Sequence, residues 1–285
     1  MLLDFFCYTT ATPSCTLDLS TLIEAARENQ LDGLCIIDQQ HSRHAVQLGQ
    51  MAKRAQFFVA VGVELPTTMG TLVAFAPSLE EMATESWRRL YVMGTPTPEA
   101  VVAHFEAGAV IARAPFSDGS KAVRDAIFGI KGLHGLDCLH PNRRRIDNEL
   151  ALEAATAMGV SGLAGSAAMD STELIGSVAT AVGKELHSQA ELVECLRARD
   201  AWPVALRPLG DAAPSEAEPA PRPPREEAAP RGSLRRSGGR DRGAGERDER
   251  HHRRFGQDRD GRGPRRDTAR RGPRRAGGRP DRPSH

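Results

Sequence analysis

Six short segments carry the residue types that could do chemistry. They are Asp4-Phe-Phe-Cys-Tyr-Thr-Thr10, Ile36-Ile-Asp-Gln39, Val61-Gly-Val-Glu64, Ile111-Ala-Arg113, Leu136-Asp-Cys138 and Ala164-Gly-Ser-Ala-Ala-Met169. Asp4, Asp38, Glu64 and Asp137 are their carboxylates. Gathered together, such groups attract divalent cations; without cations they must find another counterion or take up protons. Arg113 carries a permanent charge in the same series and is expected to pair with Glu64, Asp38 or Asp137, unless it is a surface loop arginine. His41 and His44 follow Asp38 at a spacing that permits a metal site, although a solvated helix start is the preferred expectation. His134 and His140 flank Asp137. The triplet Arg143-Arg-Arg145 could meet phosphate or form an exposed first helical turn, and the second is preferred. Ser117-Asp-Gly-Ser120 has no histidine base placed by sequence and reads as turn chemistry. Ser166 lacks the spacing of a nucleophile elbow.

Something must bring these segments together, and the chain supplies an alternation of strands and helices. Strands are expected at Leu2–Tyr8, Asp32–Asp38, Phe57–Glu64, Thr71–Phe75, Gly108–Ala112, Leu136–Leu139, Ser161–Ala164 and Pro203–Leu206. Helices are expected from an Asp18 cap to Asn29 and over Arg43–Ala55, Leu79–Val92, Pro98–Glu106, Lys121–Phe128, Ile146–Met158 and Ser188–Ala198. Repeated β-α units imply a mainly parallel sheet or barrel, with working groups at the C-terminal strand ends.

Composition divides the 285 residues near Gly210. Residues 1–210 read as one domain long enough to bury a core. Residues 211–230, rich in Pro, Ala and Glu, read as a linker, and residues 231–285 as an Arg/Gly-rich low-complexity tail expected to be disordered. A net charge of +1 conceals opposite halves: 211–285 holds 21 Arg and 13 acidic residues, leaving the body acidic. The five cysteines form no CxxC pair and are expected to be reduced thiols. No signal peptide or membrane span is legible, so a cytoplasmic location is expected.

Taken in order, the six segments resemble the polymerase and histidinol phosphatase (PHP) family across the whole body. Its motifs read approximately Asp-x-His-x-His-Thr, Thr-Asp-His, Gly-x-Glu, Ala-His-Pro and Gly-Ser-Asp-x-His. The resemblance implies an α/β fold, a distorted seven-stranded (β/α) barrel, and a phosphoesterase site holding two or three Mn, Zn or Mg ions. Carried over residue by residue, it implies mostly losses. Phe6 and Tyr8 stand for the first two histidines, Gln39 for the next and Arg113 for the histidine of Ala-His-Pro. Ala167 and Met169 replace the last Asp and His. The loop ligand falls near Pro13 or Ser14, and a further histidine position near Thr71. Glu64 matches the bridging glutamate, and Asp4, Asp38 and Asp137 remain as supporting acids. Phe and Ala offer no lone pair and Met only a weak thioether. No metal or cofactor is therefore expected.

In the tail, exclusive use of Arg suits phosphate forks and base stacking. Arg235, Arg236, Arg240, Arg265, Arg266, Arg274, Arg275 and Arg279 are the candidates, although protein or self contact and a simple solvated extension stay open. The leading expectation is a non-catalytic PHP-like binding or scaffold module whose tail contacts RNA or an RNA-associated complex. The alternatives are a metal-dependent phosphoesterase or nuclease with a rebuilt site, and a small-molecule sensor using the barrel mouth.

Overall fold

The apolar run after Met1 forms strand β1 (Leu2–Cys7), buried along nearly its whole length as a central strand should be. In the computed structural model, which describes residues 1–117 and 123–210, ten strands and six α-helices alternate. The strands are β1, β2 (Gly33–Ile36), β3 (Phe58–Val61), β4 (Val63–Thr67), β5 (Gly70–Phe75), β6 (Ala109–Arg113), β7 (Gly135–Leu139), β8 (Ser161–Ala164), β9 (Val178–Val182) and β10 (Ala201–Ala205). The helices are α1 (Leu19–Glu28), α2 (Ala45–Arg54), α3 (Leu79–Ala83), α4 (Pro98–His104), α5 (Arg145–Met158) and α6 (Gln189–Ala198). The linker and tail, with the eight arginines singled out there, lie outside the described residues, as do Asp118–Ala122 of the Ser117–Ser120 turn and the following helix start.

The helices begin where cap chemistry says they should. Asp18 accepts a hydrogen bond from Thr21 N at 2.8 Å and starts α1, whose Leu19, Leu22, Ile23 and Ala26 face inward. Thr97 with Pro98 starts α4, and Ser188 starts α6. The single helix expected over Leu79–Val92 is two pieces. Helix α3 ends at Ala83 with Thr84 as its cap, Glu85 turns into the left-handed region at φ 49°, and a 3-10 helix covers Ser86–Tyr91. Burial of Trp87 and the pairing of Glu85 with Arg43 and Arg88 hold that break. The helix expected at Lys121–Phe128 is a 3-10 turn over Arg124–Gly129.

The strands form two five-stranded sheets, ordered β10-β9-β1-β2-β3 and β4-β5-β6-β7-β8. The hydrogen-bonded arrangement is thus not one seven-stranded ring. Only β1-β2-β3 and β6-β7-β8 are parallel runs, and the other pairings are antiparallel. The third expected strand, Phe57–Glu64, is split at Gly62 between the sheets. Gly62 N donates to Ile36 O at 2.8 Å, and a Cβ there would press on the Phe75 ring and the Ala74 carbonyl. Strand β9 had no counterpart in the sequence reading; it pairs β1 with β10 and closes that edge.

The sheets meet at two seams. At one, β3 runs through Gly62 into β4, and Gln39 bridges Glu64. At the other, Thr180 Oγ1 donates to Ala164 O at 2.9 Å and accepts from Ala164 N at 2.8 Å, stitching β9 to β8. Gly165 lies against the Phe5 carbonyl, where any side chain would collide. One apolar cluster fills the interior. All five cysteines are free and buried. No helix among the described residues is long and apolar enough to cross a membrane.

Candidate functional site

The six segments do converge. The ends of β1, β2, β4, β6 and β7 and the loop after β8 exchange side-chain contacts around Glu64, Asp38, Asp137 and Asp4.

Asp38, at the end of β2, is fully buried and saturated. It accepts from Thr9 N at 2.7 Å, Thr9 Oγ1 at 2.6 Å and Thr12 Oγ1 at 2.8 Å, and lies 3.0 Å from His44 Nε2. Arg113 therefore does not pair with Asp38, and His44 belongs to this network rather than to a solvated helix start. His41 is half-exposed and faces Glu85 at 3.8 Å instead. Gln39 points outward; only its backbone N joins the site, donating to Thr12 Oγ1 at 3.0 Å.

Arg113 leaves β6 and ends among the acids. Its Nη1 donates to Asp137 Oδ2, while its Nε lies 3.8 Å from Glu64 Oε1 without forming a hydrogen bond. Its guanidinium carbon sits 4.7 Å from the Phe6 ring centroid, over the ring face. The surface-loop alternative fails, because the side chain is only 11% exposed. Phe6 is fully buried with φ 69°, a left-handed backbone unusual for an aromatic residue. Tyr8 donates its hydroxyl to Glu64 Oε1 at 3.1 Å, and burial pushes its phenol up to about 12. Side chains thus occupy the middle of these strand ends.

Asp137, fully buried on β7, holds two arginines. Besides Arg113 it accepts from Arg143 Nη2 at 2.8 Å and Ala114 N at 3.2 Å, and its carbonyl takes Arg143 Nη1 at 3.2 Å. The basic triplet is therefore not an exposed turn throughout. Arg143 is buried, Arg144 pairs with Asp147 at 2.8 Å, and only Arg145 is open. Desolvation, with Arg113 nearby, pulls Arg143 down to about 9, still protonated at neutral pH. Desolvation and the same arginines pull His140 down to about 3, so its ring is neutral. His140 Nδ1 accepts from Asn142 N at 3.0 Å. His134 Nδ1 accepts from Val110 N at 3.1 Å, a structural role in the backbone ladder.

Asp4 completes the set from within β1. Its Oδ1 accepts from Ser166 N at 2.7 Å, while Oδ2 is buried with no partner. Burial raises it to about 7. Ser166 is thereby a loop anchor. Ala167 takes φ 52°, and the Met169 carbonyl accepts from Cys15 Sγ and Thr16 N, each at 2.9 Å. Sequence reasoning missed Thr9, Thr12 and the buried role of Arg143. Thr9 and Thr12 carried a usable signal, being hydroxyls beside the first strand end.

No family model matches the sequence, and no curated protein matches it. Solved structures do. A two-domain protein from Bacteroides vulgatus, described as containing a predicted PHP-like metal-dependent phosphoesterase, aligns with TM-score 0.56 at 11% identity, over 72% of this chain and 65% of that one. The fold is PHP-type. PsfC from Pseudomonas syringae aligns with TM-score 0.51 at 13% identity, over 72% of this chain and 91% of that one. An amidohydrolase from Chromobacterium violaceum, solved with sulfate and no metal, aligns with TM-score 0.50 at 13% identity, over 71% and 97%.

The side chains gathered here do not fit a metal cluster. Among the described residues, no group of three or more His, Cys, Asp or Glu is placed to hold a metal ion. Three of the four acids already have strong partners: hydroxyls and His44 for Asp38, guanidinia on Oδ2 of Asp137, and Tyr8 for Glu64; only Asp4 Oδ2 and Asp137 Oδ1 are buried without one. A cation close to Glu64 would also face the fixed charge of Arg113.

Proposed function

We propose that this domain offsets the charge of Asp137 and Glu64 with its own arginines instead of metal ions, and serves as a binding or scaffold module. In this reading the two sheets work as one distorted barrel, and the mouth holds the Arg113–Asp137–Glu64 group as a fixed, uncatalytic plug. The observation that carries it is the guanidinium of Arg113, bonded to Asp137, beside Glu64 and over Phe6. The Arg-rich segment 231–285 supplies contact with RNA or an RNA-associated complex, since it carries Arg and no Lys, with an excess of Arg over its acids. Free, buried thiols accord with a reducing cytoplasm.

A second reading, a metal-dependent phosphoesterase acting on nucleotides or RNA ends, is favoured by the description of the Bacteroides vulgatus structure. Calorimetric titration with Mn²⁺ and Zn²⁺, paired with hydrolysis of a phosphodiester reporter, separates the two. The first reading expects neither stoichiometric binding nor turnover. Tight binding with turnover abolished by Glu64→Ala would establish the second. For the tail, deleting 231–285 is expected to remove most RNA affinity and flatten its salt dependence; equal affinity of the two forms would sink that part.

A further inference from the structure

A cavity of about 360 Å³ opens between α5, the end of β7, β10 and the chain that follows β10 to Gly210. That volume lies in the range of small-molecule sites. Leu139, Leu152, Pro203 and Leu209 make its apolar walls. Leu152 is 47% exposed, an apolar side chain with part of its surface uncovered beside an apolar space. Pro203 packs close to Gly162 of β8, which keeps that wall in place.

The charged edge is unequal. Arg143, Arg145 and one carboxylate, Glu149, line the cavity. Arg143 is held in position by its two bonds to Asp137. Arg145 is 77% exposed and reaches Glu149 only at 3.5 Å, an open surface pair that a ligand can exchange at little cost. Asn148 is committed to the backbone of His140 and adds little to recognition. Cys138 lines the floor, but its thiol donates to Ala151 O at 3.2 Å and burial pushes it up to about 12, which excludes a thiolate nucleophile at neutral pH.

We propose that this cavity is a binding site for a small organic carboxylate with an apolar body, its head against Arg145 and Arg143 and its body against Leu139, Leu152, Pro203 and Leu209. Arg143 is already matched by Asp137, so the anion preference comes from Arg145, which can exchange Glu149 for a ligand carboxylate, and the walls select an alkyl or aryl body over a sugar or a nucleotide. Only Arg143 is shared with the strand-end group, through Asp137; Arg145 and the apolar walls lie outside it, so failure of octanoate binding and failure of the strand-end reading are separate outcomes.

Octanoate, octanol and octylammonium share a chain and differ in head charge, so calorimetry of the full chain with each is the test. Saturable one-site binding of octanoate is expected, with octanol at least ten-fold weaker and no binding of octylammonium. Leu152→Glu and Arg145→Glu alter exposed side chains, and circular dichroism checks that both variants fold. Each is expected to weaken octanoate at least ten-fold. Absence of saturable octanoate binding, equal affinity for octanol, or unchanged octanoate affinity in folded Leu152→Glu overturns the proposal.

Discussion

Replacing Arg113 with Met keeps most of the side-chain stem and removes the charge. Asp137 is fully buried and Arg113 is 11% exposed, so solvent screens this pair poorly. Breaking a buried ion pair by removing one partner typically costs about 3–5 kcal/mol. Here the loss is smaller, because Asp137 keeps Arg143 Nη2 and Ala114 N, and Glu64 keeps the Tyr8 hydroxyl. Half of the usual cost, about 2 kcal/mol, is a fair expectation for the ion pair. Losing the cation over the Phe6 ring adds about 1 kcal/mol. Arg113→Met is therefore expected to destabilise by about 3 kcal/mol in urea unfolding, read as a lower midpoint at unchanged slope. Asp137→Asn should also destabilise, because it strands two guanidinia. The double variant Arg113→Met, Asp137→Asn should cost less than the sum of the singles by about 1–3 kcal/mol, the signature of direct coupling. Arg113→Met within about 0.5 kcal/mol of the parent, or additive singles, would refute the claim that this arginine neutralises the strand-end acids.

Three further outcomes are expected. Asp4 is raised from 3.8 to about 7 by burial, so the folded state holds its proton more tightly than the unfolded state does. Its contribution is fully present below pH 4 and is lost as pH rises to about 7, at most roughly 4 kcal/mol, so urea unfolding of Asp4→Asn should lack this step; a parent no steeper than the variant over that window would contradict it. Gln189 accepts from Val61 N at 2.8 Å and donates to Ala76 O at 2.7 Å, tying α6 to the β3 and β5 ends. Gln189→Ala should cost about 2–4 kcal/mol by leaving both groups buried and unpaired, measured by chemical denaturation. Gly165→Ala should abolish or severely weaken folding, because its Cβ would strike the Phe5 carbonyl, and a cooperative thermal transition near the parent's would rule that contact out.

Local patterns carried most of the elements. The apolar run of β1, the Asp18 cap, the Pro98 first turn and the Met158 end of α5 follow from a few neighbouring residues and form as expected. The failures are long-range. Leu79–Val92 has helical propensity throughout, yet burying Trp87 and pairing Glu85 with two arginines favour a break. Phe57–Glu64 reads as one strand, yet Gly62 passes between two sheets that the local pattern cannot distinguish. Strand β9 sits behind a loop rich in polar residues and gains its partners from the first and last strands of the described residues, β1 and β10.

The same division runs through the site. Residue identity alone determined that Phe6, Ala167 and Arg113 cannot donate electron pairs to a cation, since that is a property of the side chains and not of their surroundings. Which acid each base meets was decided by the tertiary structure. Arg113 chose Asp137 and Glu64 over Asp38 because two threonine hydroxyls, a backbone amide and His44 already surround Asp38. Arg143 left the solvent because β7 and α5 bury it against Asp137. Charge and lone pairs are written into each residue, whereas burial and partnership arise only when strands far apart in the chain end at the same place.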